Sequence, residues 1–157
     1  MTNRPEIHWD ASASVARNAS QKLPEMTRQF FAAGRAAATL DSSLQAMHRF
    51  RIQTKRFRYS LDLFRDYYGP ALEQRIEALR GLQDRLGAIS DCLATQELVL
   101  NRDNLRPAAR SRLLENLKKT TNARVGAFRR HWKRDFSHPE RELWWTDYLS
   151  RYARLRR

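Results

Sequence analysis

Along most of this chain apolar residues recur at three- and four-residue steps, and no stretch alternates as a half-buried strand would. Val15, Ala19, Leu23, Met26, Phe30 and Ala33 set the first stripe, within good helix formers from Ser12 to Ala38. Pro24 interrupts it, so a kink or a helix start is expected there. "LDSSLQ", residues 40–45, then offers Asp41 or Ser42 as an N-cap, whose side-chain oxygen accepts from the free amides of a new helix. That second helix is expected to run to Tyr67 or Tyr68 and to stop at Gly69-Pro70. A third begins after Pro70, with Leu72, Ile76, Leu79, Leu82, Leu86, Ile89, Leu93 and Leu100 on one face and Gly87 as its thin point. "DNLRP" ends it. Pro107 suits the first turn of a fourth helix, whose stripe is Leu114, Leu117, Val125, Phe128, Trp132 and Phe136. After "SHPE", the segment "ERELWWTDYLSRYARLRR" predicts a short aromatic terminal helix.

The fold class expected is all-α: an antiparallel four-helix bundle with a short extra C-terminal helix. One domain spans residues 1–157, with a loose arm over 1–10, a four-helix core over 12–136 and the terminal helix over 138–157. A length of 157 residues suits a single hydrophobic core. Cys92 is the only cysteine, so no internal disulfide can form and a reducing interior is expected. No apolar run approaches the roughly 20 residues that span a bilayer, and the first residues lack the apolar core of a secretory signal. The expectation is a soluble, cytoplasmic protein without a membrane partner.

Charge changes the picture. Thirty Lys plus Arg against seventeen Asp plus Glu leave a formal charge of +13, which repels itself and attracts polyanions. Only Lys22, Lys55, Lys118, Lys119 and Lys133 are lysine; the other twenty-five are arginine. The guanidinium fork matches phosphate oxygens bidentately, although GC-rich coding would produce the same bias. The excess concentrates in "MHRFRIQTKRFRYSLDLF", residues 47–64, where no acid occurs from Ser42 through Leu61. At about 100° per residue, Phe50, Phe57, Leu61, Phe64 and Tyr68 share one face, the expected core seam. His48, Arg51, Lys55, Arg58 and Asp62 share another; Arg49 and Arg56 share a third. Cations one turn apart repeat every 5 to 6 Å or so, a scale compatible with several phosphates of a linear chain. Like charges at i,i+4 cost a few tenths of a kcal/mol per pair, so an unbroken row is more economically read as an anion site than as a solvated face. His48 adds a donor when protonated. Elsewhere, Asn122, Arg129 and Lys133 flank the core stripe of the fourth helix around Gly126, and Arg80 sits one turn before Asp84 on the third.

"LQAMHRFRIQTKRFRYSLDLF" resembles the signature helix of the CHAD family, the conserved histidine α-helical domain, in the order and spacing of His48, Arg51, Ile52, Lys55, Arg56, Phe57, Arg58 and Tyr59. A second family motif is met by Leu82, Gln83, Leu86, Gly87 and Asp91, and "ARVGAFRRHW" resembles the family's closing helix. The similarity covers about residues 12–136. The resemblance implies a helical module that binds inorganic polyphosphate and targets proteins to polyphosphate granules. Carried over by position, it makes His48, Arg51, Lys55, Arg56 and Arg58 ligand residues, with Arg80, Arg129 and Lys133 as further, weaker assignments. The family usually carries two similar four-helix halves, and this chain resembles the second. A homodimer would restore the pair.

An enzyme is not expected: GxxxxGK[ST], HExxH, GxSxG and CxxC are all absent. Asp84 and Asp91, seven apart on one helix, could in principle hold a metal, but ordinary salt bridges explain them better; His131 and His138 lack ligand-like company. No cofactor is implied. Nucleic acid is the serious rival partner, since phosphate-directed cations serve it equally. Against it, the aromatic residues of the basic helix are expected on the core face rather than beside the cations, where bases would stack.

Overall fold

The computed structural model of the chain describes residues 8–154. Ser14 opens the first helix, α1 (Val15–Ala37): its backbone is extended and its hydroxyl accepts the Arg17 N–H at 3.2 Å. The helix runs on through Pro24, so neither a break nor a start occurs there; Pro24 and its neighbour Leu23 are simply buried. Val15, expected on the apolar stripe, is exposed. Of the arm, residues 1–7 lie outside the described region. Residues 8–10 are not loose: Trp9 stacks on Phe64 at 5.4 Å, and Asp10 and Asn18 exchange two hydrogen bonds of 2.8 and 2.9 Å.

The second helix, α2 (Leu44–Leu63), is capped by Ser43 and not by Asp41 or Ser42; Ser43 Oγ accepts the Ala46 N–H at 3.0 Å. Ser42 instead donates back to the Ala37 carbonyl at 2.6 Å. The helix also ends earlier than expected. Phe64 leaves it at φ −99°, ψ 11°, and a separate single turn, α3 (Arg65–Tyr68), precedes Gly69 at φ +74°, a conformation that favours glycine. Tertiary contacts outweigh local propensity here. Trp9 covers Phe64, and Tyr68 is placed to donate its hydroxyl to the Leu149 carbonyl at 2.6 Å.

A 3₁₀ turn at Pro70–Leu72 leads into α4 (Glu73–Leu100); α5 (Pro107–Asp135) and α6 (Pro139–Arg151) complete the chain. The four long helices α1, α2, α4 and α5 form the bundle, α2 packing on both α1 and α4, α4 on α5, and α6 on α1. No strand occurs among the described residues. The core is aromatic at its centre: Phe30 lies 5.1 Å from Phe57 and 5.4 Å from Phe50, and Trp132 stacks on Phe136 at 5.0 Å. The predicted α2 seam of Phe50, Phe57, Leu61, Phe64 and Tyr68 is buried throughout. Each such side chain contributes about 1.5–3 kcal/mol by leaving water. Gly34 is required by this packing, because a Cβ there would lie 1.9 Å from the Trp132 ring.

Trp145 and Leu149 of α6 are fully buried and close the core, whereas Trp144 stays partly exposed. One expectation about an apolar face changes. The distal stripe of α4 is not core: Leu100 is exposed and Leu93 only half-buried. Leu44, where α2 begins, shares a pocket with Gln96 of α4 and Leu114 of α5. Beyond it α4 and α5, 28 and 29 residues long against 20 for α2, continue as a hairpin. Leu98, Leu100 and Leu113 are therefore left in solvent.

Candidate anion-binding site

The basic row of α2 flanks its core face and lies along α4. Three contacts set an antiparallel register: His48 Nδ1 is 3.4 Å from Ser90 Oγ, Arg51 Nε lies 3.7 Å from where a Cβ on Gly87 would stand, and Arg58 Nε donates to Gln83 Oε1 at 3.1 Å. Gly87, Ser90 and Ala94 keep the α4 side of this seam low. Toward the start of α2 the seam opens into a cavity of about 690 Å³, lined by His48, Arg51, Ser90, Asp91, Ala94 and Glu97 among others.

The cations of the row differ in how free they are. Arg51 Nε is shut off from solvent and has no hydrogen-bond partner among the described residues. Lys55 of the row, and Arg56 on the neighbouring face of α2, are exposed, with no carboxylate in ion-pairing range among those residues. Arg58 is committed: its Nη1 donates to Asp62 at 2.7 Å, and its side chain is only 13% exposed. Asp62 in turn holds Arg65 at 2.8 Å, Arg65 reaches Glu73 at 3.3 Å, and Arg80 pairs with Glu73 and Glu77. The hydrogen bond that Arg80 donates to the Glu77 carboxylate raises the Arg80 pKa above its ordinary value. Arg80 therefore belongs to the ion-pair chain at the far end of the seam.

Arg129 and Lys133 do not join the row. Arg129 Nη2 donates to the Leu40 carbonyl at 3.1 Å, at the end of α1, and neither residue lines the cavity beside His48. Across the core, α5 meets α2 through Phe128 and Trp132 against Phe50. A further correction concerns the aromatic residues. Phe50 and Phe57 are buried, but Tyr59 is 51% exposed and lies beside two cations, 4.5 Å from Arg58 Cζ and 5.6 Å from Lys55 Nζ. Ser90 escaped sequence reasoning because a lone serine inside a helix carries no signal, whereas Gln83, Gly87 and Asp91 had one in their spacing.

Comparison with known proteins decides the family. A model of the CHAD domain matches residues 3–100, more than half of the chain. The chain belongs to the CHAD family. No curated protein and no solved structure matches it. The CHAD match contains α1, the basic helix α2 and α4, and stops short of α5, where Arg129 and Lys133 reside. CHAD domains are associated in general with polyphosphate binding. Among the described residues no helix is long and apolar enough to cross a membrane.

Proposed function

We propose that this protein is a binding module for inorganic polyphosphate, not an enzyme, and that it takes the phosphate chain along the seam between α2 and α4. Arg51, Lys55 and Arg56 are the principal cations; His48 and Ser90 add donors at one end, and Arg58 adds its free edge. Arg80, Arg129 and Lys133 are secondary. The observation that carries this reading is the buried Nε of Arg51, without a partner among the described residues, beside a cavity of about 690 Å³. A buried donor without an acceptor costs about 1–3 kcal/mol, and a phosphate oxygen in the seam removes that cost. Such a module would carry its polypeptide to polyphosphate granules in the cytoplasm. A second copy paired about a two-fold would supply the opposite wall of the groove.

Exposed Tyr59 beside Lys55 and Arg58 favours one second reading: a single-stranded nucleic acid with a base on that ring. Competition separates the two. Long-chain polyphosphate and single-stranded DNA of equal charge are titrated against one another in moderate salt. Polyphosphate is expected to win, and replacing Arg51, Lys55 and Arg58 together by Gln to abolish its binding while far-UV helicity survives. Equal competition by the DNA, lost on Tyr59→Ala, would establish the nucleic-acid reading instead.

A further inference from the structure

A second cleft lies elsewhere, about 760 Å³ between the start of α4 and the outer face of α6. Arg75 is in its wall, and its environment is unusual for an arginine. Its side chain is buried, with the residue only 3% exposed, and no carboxylate pairs with it among the described residues. Trp144 lies 3.5 Å and Tyr148 3.8 Å from the guanidinium carbon, so aromatic rings cover it. Two carbonyls take part of its edge, Trp144 O at 3.0 Å and Ala71 O at 3.4 Å. Nε has no partner. Burial pushes the group down to about 10, opposed by Tyr148 and aided by Arg141. A desolvated cation–π contact contributes about 2 kcal/mol, yet a buried charge is ordinarily retained only with a counter-charge.

Two more cations, Arg151 and Arg154, stand at the same cleft. Arg151 is only loosely engaged, 3.6 Å from Asp147, while the backbone of Arg154 is anchored to the Tyr67 carbonyl at 2.8 Å. The rim carries apolar area: Trp144 is 43% and Tyr152 50% exposed, and Tyr152 stacks on Tyr148 at 5.3 Å. A buried fork with no acid paired to it among the described residues, a mouth where Arg151 and Arg154 stand with Asp66 and Asp147, and two exposed rings together form a receptor for a flat molecule with one negative end.

We propose that this cleft binds a small aromatic anion, its phosphate or carboxylate on Arg75 and the mouth arginines, and its ring against Trp144 and Tyr152. The site is separate from the α2–α4 seam and independent of the polyphosphate reading.

Phenyl phosphate is the probe, with phenylacetate as the carboxylate form. Inorganic phosphate serves as charge without ring, and benzyl alcohol as ring without charge. Binding to the full chain is followed by the indole N–H resonance of Trp144. Phenyl phosphate is expected to bind with Kd on the order of 1 mM or below, at least about tenfold tighter than either partial probe. Arg75→Lys keeps the charge but loses the planar fork, and should weaken binding about tenfold. Should that variant not fold, the double variant Arg151→Gln, Arg154→Gln alters only the mouth and should weaken binding severalfold. Lys55→Gln in the distant seam should leave it unchanged. Failure of phenyl phosphate to move the Trp144 resonance, or equal affinity for phenyl phosphate and benzyl alcohol, overturns the proposal. So does undiminished binding in the mouth variant.

Discussion

Replacing Arg51 by Met should weaken polyphosphate binding and at the same time stabilise the free protein. In the free chain Arg51 Nε is cut off from water and finds no acceptor among the described residues, so the folded state carries that desolvation cost. Methionine has a flexible chain that can fill the space beside Gly87 without a buried donor. The gain should be about 1 kcal/mol, which in a domain of this size raises the melting temperature by about 2–4 °C. In the complex the balance reverses. A charge-assisted hydrogen bond to a phosphate contributes about 1.5–3 kcal/mol, and each 1.4 kcal/mol is about a factor of ten, so affinity should fall about 10- to 150-fold. Arg51→Lys, which keeps charge but not Nε, should fall between. Thermal melts followed by circular dichroism, paired with polyphosphate titrations at about 0.15 M salt, read both quantities. A lower melting temperature with unchanged affinity would refute the reasoning and make Arg51 an ordinary structural side chain.

Asp62 holds both Arg58 and Arg65; Asp62→Asn should release them and tighten polyphosphate binding about two- to fivefold, the scale of one partly exposed pair, and a weaker complex would show that Asp62 instead positions Arg58 for the ligand. Gly34→Ala forces a methyl group to within 1.9 Å of Trp132, so denaturant unfolding should show a loss of at least about 1–3 kcal/mol; an unchanged midpoint would mean that α1 and α5 separate freely. Burial, reinforced by Arg85 and Arg134 and opposed by Asp135, holds the His131 pKa below its ordinary value of 6.5. The unfolded chain therefore binds the proton first, and stability should fall as pH drops below about 6.5. His131→Gln should flatten that part of the pH–stability curve, and an identical curve in the variant would exclude His131 as its source.

The faces of the helices were legible from spacing because burial obeys a 3.6-residue period: Phe50, Phe57 and Leu61 are buried as their positions require, and the CHAD motifs fall where α2 and α4 meet. The ends of the helices were less so. Nothing near Phe64 breaks a helix; the break answers to Trp9 and to the Leu149 carbonyl, partners far away in the chain. Tyr59 was legible too: at about 100° per residue it stands roughly 180° from Phe50 on α2, so spacing alone turns it away from the core seam, and it is exposed. Asp62 was visible on the basic face, but that it would neutralise Arg58 while Arg51 stayed unpaired depended on what α4 presents to each. The Arg75 cage combines side chains from α4 and α6 that are 69 and 73 residues apart, and no local pattern announces it.

The acids that frame the seam limit what one copy can do. At one end Asp91 and Glu97 line the cavity with His48 and Arg51; at the other Asp62, Glu73 and Glu77 occupy Arg58, Arg65 and Arg80. Arg51, Lys55 and Arg56 are left between them. At about 1.5 Å of rise per residue they span only about 7.5 Å of the helix. Three neutralised phosphates imply a slope of log affinity against log salt near −2, at about 0.7 per phosphate for a single strand. Capture of that kind fades quickly as salt rises. A second copy facing the first would double the number of cations on the chain and take the slope toward about −4. The two sets of cations repel each other until the polyanion lies between them, so ligand and dimer should strengthen one another. A protein that stays monomeric and binds tightly with a slope near −2 would place the affinity in the short-range donors of Arg51, His48 and Ser90, and not in the accumulated charge.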